Sequence, residues 1–334
     1  MSDIKISPVN IDLTPLVESA PKGVNKLFDL LFSKHLNRQQ RTDRLSSAQI
    51  EKDIKLIENG IAEFRDGKFI LNSEMVNNPT TVVRNIINNQ TTIEQENIQQ
   101  SLNKALEYLS GIEDHEVSDD IIEQTFFNKW FNFSKEVSDD ELQSLWGRLL
   151  AEELCSPNTI NYLVLNTFSL MSKRQLESFL KIVPYTAYSH LIFYDNNRPK
   201  DEAFEGTSSF ELQELQDLKL IKEFNSTFQT SFPLSSGMLD NKDTPYISKS
   251  YKGNYVLFLK SESNKELSIT AYQLTSIGQK ALEIAEKDAD IASQCQFLAK
   301  KLFNFSGLEH ITDIEIQRRD SNGKYEFIEN IKRA

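Results

Sequence analysis

Residues able to do chemistry are scattered along this chain. The four histidines, His35, His115, His190 and His310, fall at no metal-ligand spacing, and the two cysteines, Cys155 and Cys295, form no CxxC pair. A zinc centre is therefore not expected. The 11 glycines make neither a GxxxxGK[ST] nor a GxGxxG loop, and no GxSxG turn occurs. Phosphate cradling and the serine-elbow chemistry of esterases lose their usual basis. Carboxylates do cluster, at Asp139-Asp140-Glu141 and Glu152-Glu153, and several such oxygens would suit Mg²⁺. Neighbouring residues on a helix point in different directions, however, so no metal or cofactor is expected.

Two other groups suit binding. Lys34, Arg38, Arg41 and Arg44 form the most basic stretch, read either as a nucleic-acid or membrane contact or as a solvated helix face. Trp130 and Trp146 with Arg148 are read either as a ligand-stacking pair beside an anion-binding arginine, or as core rings with Arg148 bridging to Glu152. Helix-core spacing favours the core reading.

These residues must be positioned by helices for the most part. Val24, Leu27, Phe28 and Leu31 recur at helical spacing after Pro21. Ile50, Ile54, Ile57, Ile61 and Phe64 follow the four-three spacing of a coiled-coil seam, and Ile98, Leu102, Ala105 and Leu109 repeat it in a second long helix over 80–109. The segment from Asp66-Gly67 to Pro79 reads as their connection, and the two helices as an antiparallel hairpin, with homo-oligomerisation through the same seam as the alternative. Phe126, Phe127, Trp130, Phe131 and Phe133 announce a core, and Ser138 with Glu141 reads as a capping box starting the next helix. On that helix Leu142, Leu145, Trp146 and Leu149 mark the buried face, with Gln143, Arg148 and Glu152 off it. Pro157-Asn158 ends it.

After helices over 159–171 and 173–183 the pattern changes. Strands are expected over 188–194, 224–232, 254–260 and 268–274, with a short helix at Leu212, Leu215 and Leu218, a long loop from Pro233 to Gly253, and a helix capped by Thr275. Ile314 and Ile316, Asn322-Gly323, then Tyr325 and Phe327 read as a hairpin.

Composition bounds the rest. A chain of 334 residues is too long for one small core. With 49 acidic and 37 basic side chains and a formal charge of −12, the whole molecule repels phosphates and anionic lipid, so either would need a local basic patch. No apolar run spans a bilayer, and the N-terminus lacks a signal-peptide pattern; cytoplasmic residence is the expectation.

The run WFNFSKEVSDDELQSLWGRLLAEELCSPN resembles a bacterial domain of unknown function, marked by an aromatic helix and V-S-x-E-E-x-Q-x-L-W-x-R-[IL]-L-A-x-E. Val137, Ser138, Glu141, Gln143, Leu145, Trp146, Arg148, Leu150, Ala151 and Glu153 fall on that pattern. Pro157-Asn158-Thr159-Ile160 departs from the family's Pro-Gly-Ser-Phe. The helix-break-helix layout is similar to abortive-infection proteins of the Abi-alpha type, which implies phage defence. Residues 210–286, with LQELQDLKLIKEF and YQLTSIGQKALEI, resemble the end of a winged-helix domain. Its groove helix would carry Glu211, Glu214 and Asp217 against Lys219, which disfavours DNA.

The expected fold is mainly α with a smaller α+β part: a long helical hairpin and helical core, then a winged-helix-like module and a C-terminal β-hairpin. The expected divisions are a loosely ordered 1–21, a long-helix region over 22–116, a helical core over 117–183, the winged-helix-like domain over 184–290, and a C-terminal helix and hairpin over 291–334. The expected function is a non-enzymatic bacterial protein that binds another protein, in phage defence or a prophage system. The alternatives are a nucleic-acid-binding regulator using residues 34–44, or an enzyme with an unrecognised site, for instance His190 with a carboxylate.

Overall fold

The computed structural model describes residues 21–32, 62–65, 68–71, 79–195, 204, 206–223, 228–232, 246–261, 267–287 and 289–333. The chain divides into two compact units, residues 1–160 and 161–334.

In the first unit, α1 (Lys22–Phe32) is followed by the short strands β1 (Ala62–Arg65) and β2 (Lys68–Leu71), then by α2 (Pro79–Ser110), α3 (Gln124–Ser134) and α4 (Asp140–Cys155). The expected second long helix is present, opened by Pro79 at a position where a missing N–H costs nothing. Ile98, Leu102, Ala105 and Leu109 form its buried stripe. It packs along α4, where Trp146, Leu149 and Leu150 are buried. Close approach depends on Gly147: a Cβ there would lie 2.5 Å from the Lys104 Cβ and 2.7 Å from the Ala105 nitrogen.

The seam expected from Ile50 to Phe64 does not continue as helix to its end. Phe64 lies in β1, paired antiparallel with Phe69, so the connection expected from Asp66 holds a strand instead. Asp66-Gly67 separates the paired residues Arg65 and Lys68, and Asp-Gly between two strands is a hairpin signal that outranks the heptad spacing. Residues 33–61, and with them Ile50, Ile54, Ile57 and Ile61, lie outside the described residues, as do residues 1–20. The amphipathic α1 is found, but Val24 and Leu27 are buried within the unit. Two of the four residues of its apolar stripe thus serve the core of the unit.

The second unit begins with α5 (Tyr162–Ser169) and α6 (Lys173–Ile182), followed by β3 (Thr186–Ala187), β4 (Leu191–Phe193), α7 (Ser209–Asp217), β5 (Phe228–Phe232), β6 (Tyr246–Lys252), β7 (Tyr255–Ser261) and β8 (Leu267–Gln273). The helices α8 (Ser276–Glu286) and α9 (Ile291–Leu302) precede the hairpin β9 (Ile311–Arg319) and β10 (Tyr325–Lys332). Two antiparallel four-stranded sheets result, ordered β3-β4-β8-β5 and β10-β9-β7-β6. Leu257, Leu259, Ile314 and Ile316 share a core with Cys295, Leu298, Ala299 and Leu302 of α9.

The strand expected over 188–194 is shorter, because Tyr188 and Ser189 take left-handed φ values of 52° and 61° and turn the chain from β3 into β4. The long loop expected from Pro233 to Gly253 also shrinks, since 246–252 is β6, paired along its length with β7; residues 233–245 lie outside the described residues. Thr275 caps α8 as expected, accepting from the Gly278 N–H at 3.1 Å. Helix outweighs strand, and among the described residues no helix is long and apolar enough to cross a membrane.

Candidate binding surface

Trp130 and Trp146 are fully buried, edge to face with centroids 6.5 Å apart, and the Trp130 indole donates to the Trp146 carbonyl at 2.8 Å. They join α3 to α4. Arg148 lies over the Tyr108 ring at 4.5 Å and donates to its hydroxyl at 3.1 Å, fastening α4 to α2. The expected capping box shifts by one residue: Asp139, not Ser138, caps α4, its carboxylate accepting from Glu141 and Leu142 at 3.0 and 3.3 Å. A carboxylate also complements the positive helix end, an advantage the serine lacks. Ser138 instead accepts from Asn97 at 3.3 Å, and Glu141 is exposed. Gln143, expected off the buried face, is buried and donates to the Val137 carbonyl at 2.9 Å. A buried amide is tolerable only because these partners exist.

Other ionisable groups also serve the fold. Glu153 is 1% exposed, and its two oxygens accept from Asn158 and Ile160 at 2.6 and 3.0 Å, holding the break after α4. Lys26 donates to the carbonyls of Ser118, Asp120 and Leu154; burial lowers its pKa. In the second unit Lys252 is buried, 2.7 Å from the Glu286 carboxylate and bonded to the Val183 carbonyl and Thr186 hydroxyl. Burial lowers its pKa and pushes the nearby Cys295 thiol up to about 12, which leaves that thiol protonated and unreactive. The His190 ring nitrogen meets the Tyr188 carbonyl. Among the described residues no three His, Cys, Asp or Glu side chains are grouped to hold a metal ion. Lys34, Arg38, Arg41 and Arg44 lie outside the described residues.

What faces outward is different in kind. Leu163 on α5, Leu170 at the C-terminal cap of α5 and Phe210 on α7 are 64%, 67% and 64% exposed. Capping boxes set the two later helices: Ser172 with Gln175 opens α6, and Ser208 with Glu211 opens α7. The helices are joined by Ser178 donating to Glu211 at 2.8 Å and by an Arg174–Glu214 ion pair. Arg174 also stands 5.8 Å from the Phe210 ring centroid. Backbone hydrogen bonding at Ser208 holds the Glu211 carboxyl below its ordinary range. The sequence marked the acids of α7 but not the exposure of Phe210, because period alone cannot tell a ring that starts a helix from one that packs beneath it.

A family model described as a protein of unknown function (DUF2806) matches residues 83–294, from the second turn of α2 into α9. No curated protein and no solved structure matches the chain. The matched stretch takes in the aromatic pair, the capped helix α4 and helices α5 to α7, and it covers well over half of the 334 residues, so the chain belongs to the DUF2806 family.

Proposed function

We propose that this protein is a non-enzymatic interaction protein, whose second unit carries a winged-helix-like module that docks another protein on the surface around Phe210. The observation that carries this reading is the division of labour among side chains. Glu153, Lys26, Lys252 and Arg148 are spent on internal contacts, whereas large apolar groups at Leu163, Leu170 and Phe210 face solvent. Exposed apolar groups carrying no catalytic partner suit association. The sheet order β3-β4-β8-β5, with α5 and α6 before its first strand and α7 inserted between β4 and β5, supports the winged-helix-like reading. The acids Glu211, Glu214 and Asp217 on α7 weigh against phosphate and for a protein partner. The setting we propose, phage defence or a prophage system, follows from the likeness to abortive-infection proteins.

The test is affinity capture from the native host with wild type and with Phe210→Ser combined with Leu170→Ser. Both positions are exposed, so folding is expected to survive, as circular dichroism would verify. A specific protein held by wild type and lost, by tenfold or more, in the variant is the expected result. An identical captured set from both proteins ends the proposal.

A further inference from the structure

The sheet β10-β9-β7-β6 offers its other face outward. With Leu257, Leu259, Ile314 and Ile316 turned to α9, alternate residues lie on the opposite side. The register sets Lys249, Phe258 and Glu315 in one row, Lys260 and Asp313 in another, Gln317 beside Phe327, and Arg319 beside Tyr325. Tyr325 and Phe327, two residues apart, are 37% and 59% exposed. Lys249 Nζ stands 5.4 Å from the Phe258 centroid and 5.9 Å from that of Tyr325. These two rings meet edge to face at 5.8 Å.

Charge on this face runs opposite to the −12 of the whole molecule, with Lys249, Lys260, Arg319 and Lys332 set against Asp313 and Glu315. Lys260 pairs with both acids, at 3.3 Å from Asp313 and 2.8 Å from Glu315, which leaves this trio one net negative charge. Lys249, Arg319 and Lys332 are exposed and, among the described residues, form no ion pair. Beyond Arg319 the face runs into a cleft of about 370 Å³ between the β6–β7 and β9–β10 turns, lined by Tyr251, Gly253, Asn254, Val256, Asp320, Ser321 and Gly323 as well, with the Asp320 carboxylate turned to the Asn322 and Lys324 N–H groups.

We propose that this face binds single-stranded nucleic acid, with bases stacked on Phe327 and Tyr325 and the backbone phosphates met by Lys249, Arg319 and Lys332. Exposed ring faces alternating with cations on an open sheet match a ligand that is planar and aromatic at one end of each unit and anionic at the other. An acidic peptide would use the cations but leave the rings without work. A duplex hides its bases and would use only the cations. With a whole-molecule charge of −12, attraction is local, and binding falls steeply with salt.

Fluorescence anisotropy of the full chain tests this, with labelled oligo-U and oligo-dT of about a dozen nucleotides and a matched duplex, at salt of about 50 mM. The single strands bind and the duplex binds at least tenfold more weakly. Phe327→Ala weakens single-strand binding about fivefold or more, as loss of one stacked base predicts, while Phe327→Tyr retains it. Lys249→Gln and Lys332→Gln each flatten the salt dependence by roughly 0.7 log units per decade. Phe327 is exposed, so these variants leave the far-ultraviolet spectrum unchanged. No binding at low salt overturns the proposal. So does binding indifferent to Phe327→Ala, or displacement by polyglutamate as efficient as by unlabelled oligonucleotide, which marks a charge-only site for acidic protein.

Discussion

Glu153 shows what a buried carboxylate does when it is not catalytic. With 1% exposure it holds two backbone N–H groups across the break at Pro157-Asn158, and Asn158 itself takes the left-handed φ of 66° that the break requires. Removing the carboxylate strands the N–H of Ile160, which is buried, and frees that of Asn158, which is exposed. Glu153→Ala is therefore expected to cost about 3 kcal/mol, read as a lower urea midpoint; an unchanged midpoint would show that water replaces the carboxylate. The break was legible in the sequence, since Pro and Asn each restrict the backbone locally. The role of Glu153 was not, because neither its burial nor its distance from residues 158 and 160 is a local property.

At the scale of elements, two glycines decide how closely pieces approach. A Cβ on Gly147 would lie 2.5 Å from Lys104 on α2, and one on Gly278 would lie 1.9 Å from the Leu220 carbonyl oxygen. Helix propensity alone favours alanine over glycine by about 1 kcal/mol, whereas overpacking costs about 1–3 kcal/mol or more. Gly147→Ala and Gly278→Ala are thus expected to destabilise their units in thermal melts, Gly278→Ala more, because its backbone clash, at 1.9 Å, is the closer. Gly111→Ala, whose Cβ would meet nothing nearer than 3.7 Å, is the control and leaves the melting temperature within about 2 °C. A gain of stability in either crossing variant would contradict the close-packing account. The helical stripes were readable from spacing, and so was the capping by Thr275. The β1–β2 hairpin was not read, because an apolar four-three pattern running into Phe64 competes with the Asp66-Gly67 turn signal, and pairing with Phe69 resolved the competition.

For the molecule as a whole, charge is the property most directly set by composition. The −12 at neutral pH falls to zero near the sequence pI of 5.0. Loss of mutual repulsion then leaves exposed groups such as Leu163, Leu170, Phe210 and Phe327 free to associate. Turbidity is expected to peak between about pH 4.5 and 5.5, and Phe210→Ser with Leu170→Ser to reduce it; a solution clear throughout that range would show that these patches do not associate. The amino-acid order by itself determined the mainly helical class, the long helix over 80–109, the stop at Pro157-Asn158 and the C-terminal hairpin, because each follows from spacing or backbone preference within a few residues. Only the tertiary structure decided which ionisable groups are fasteners and which rings face water. Lys252 meets Thr186 and Glu286, and Lys249 meets Phe258 and Tyr325, across separations in sequence that no local rule can see; burial and charge balance belong to the folded neighbourhood, not to the residue.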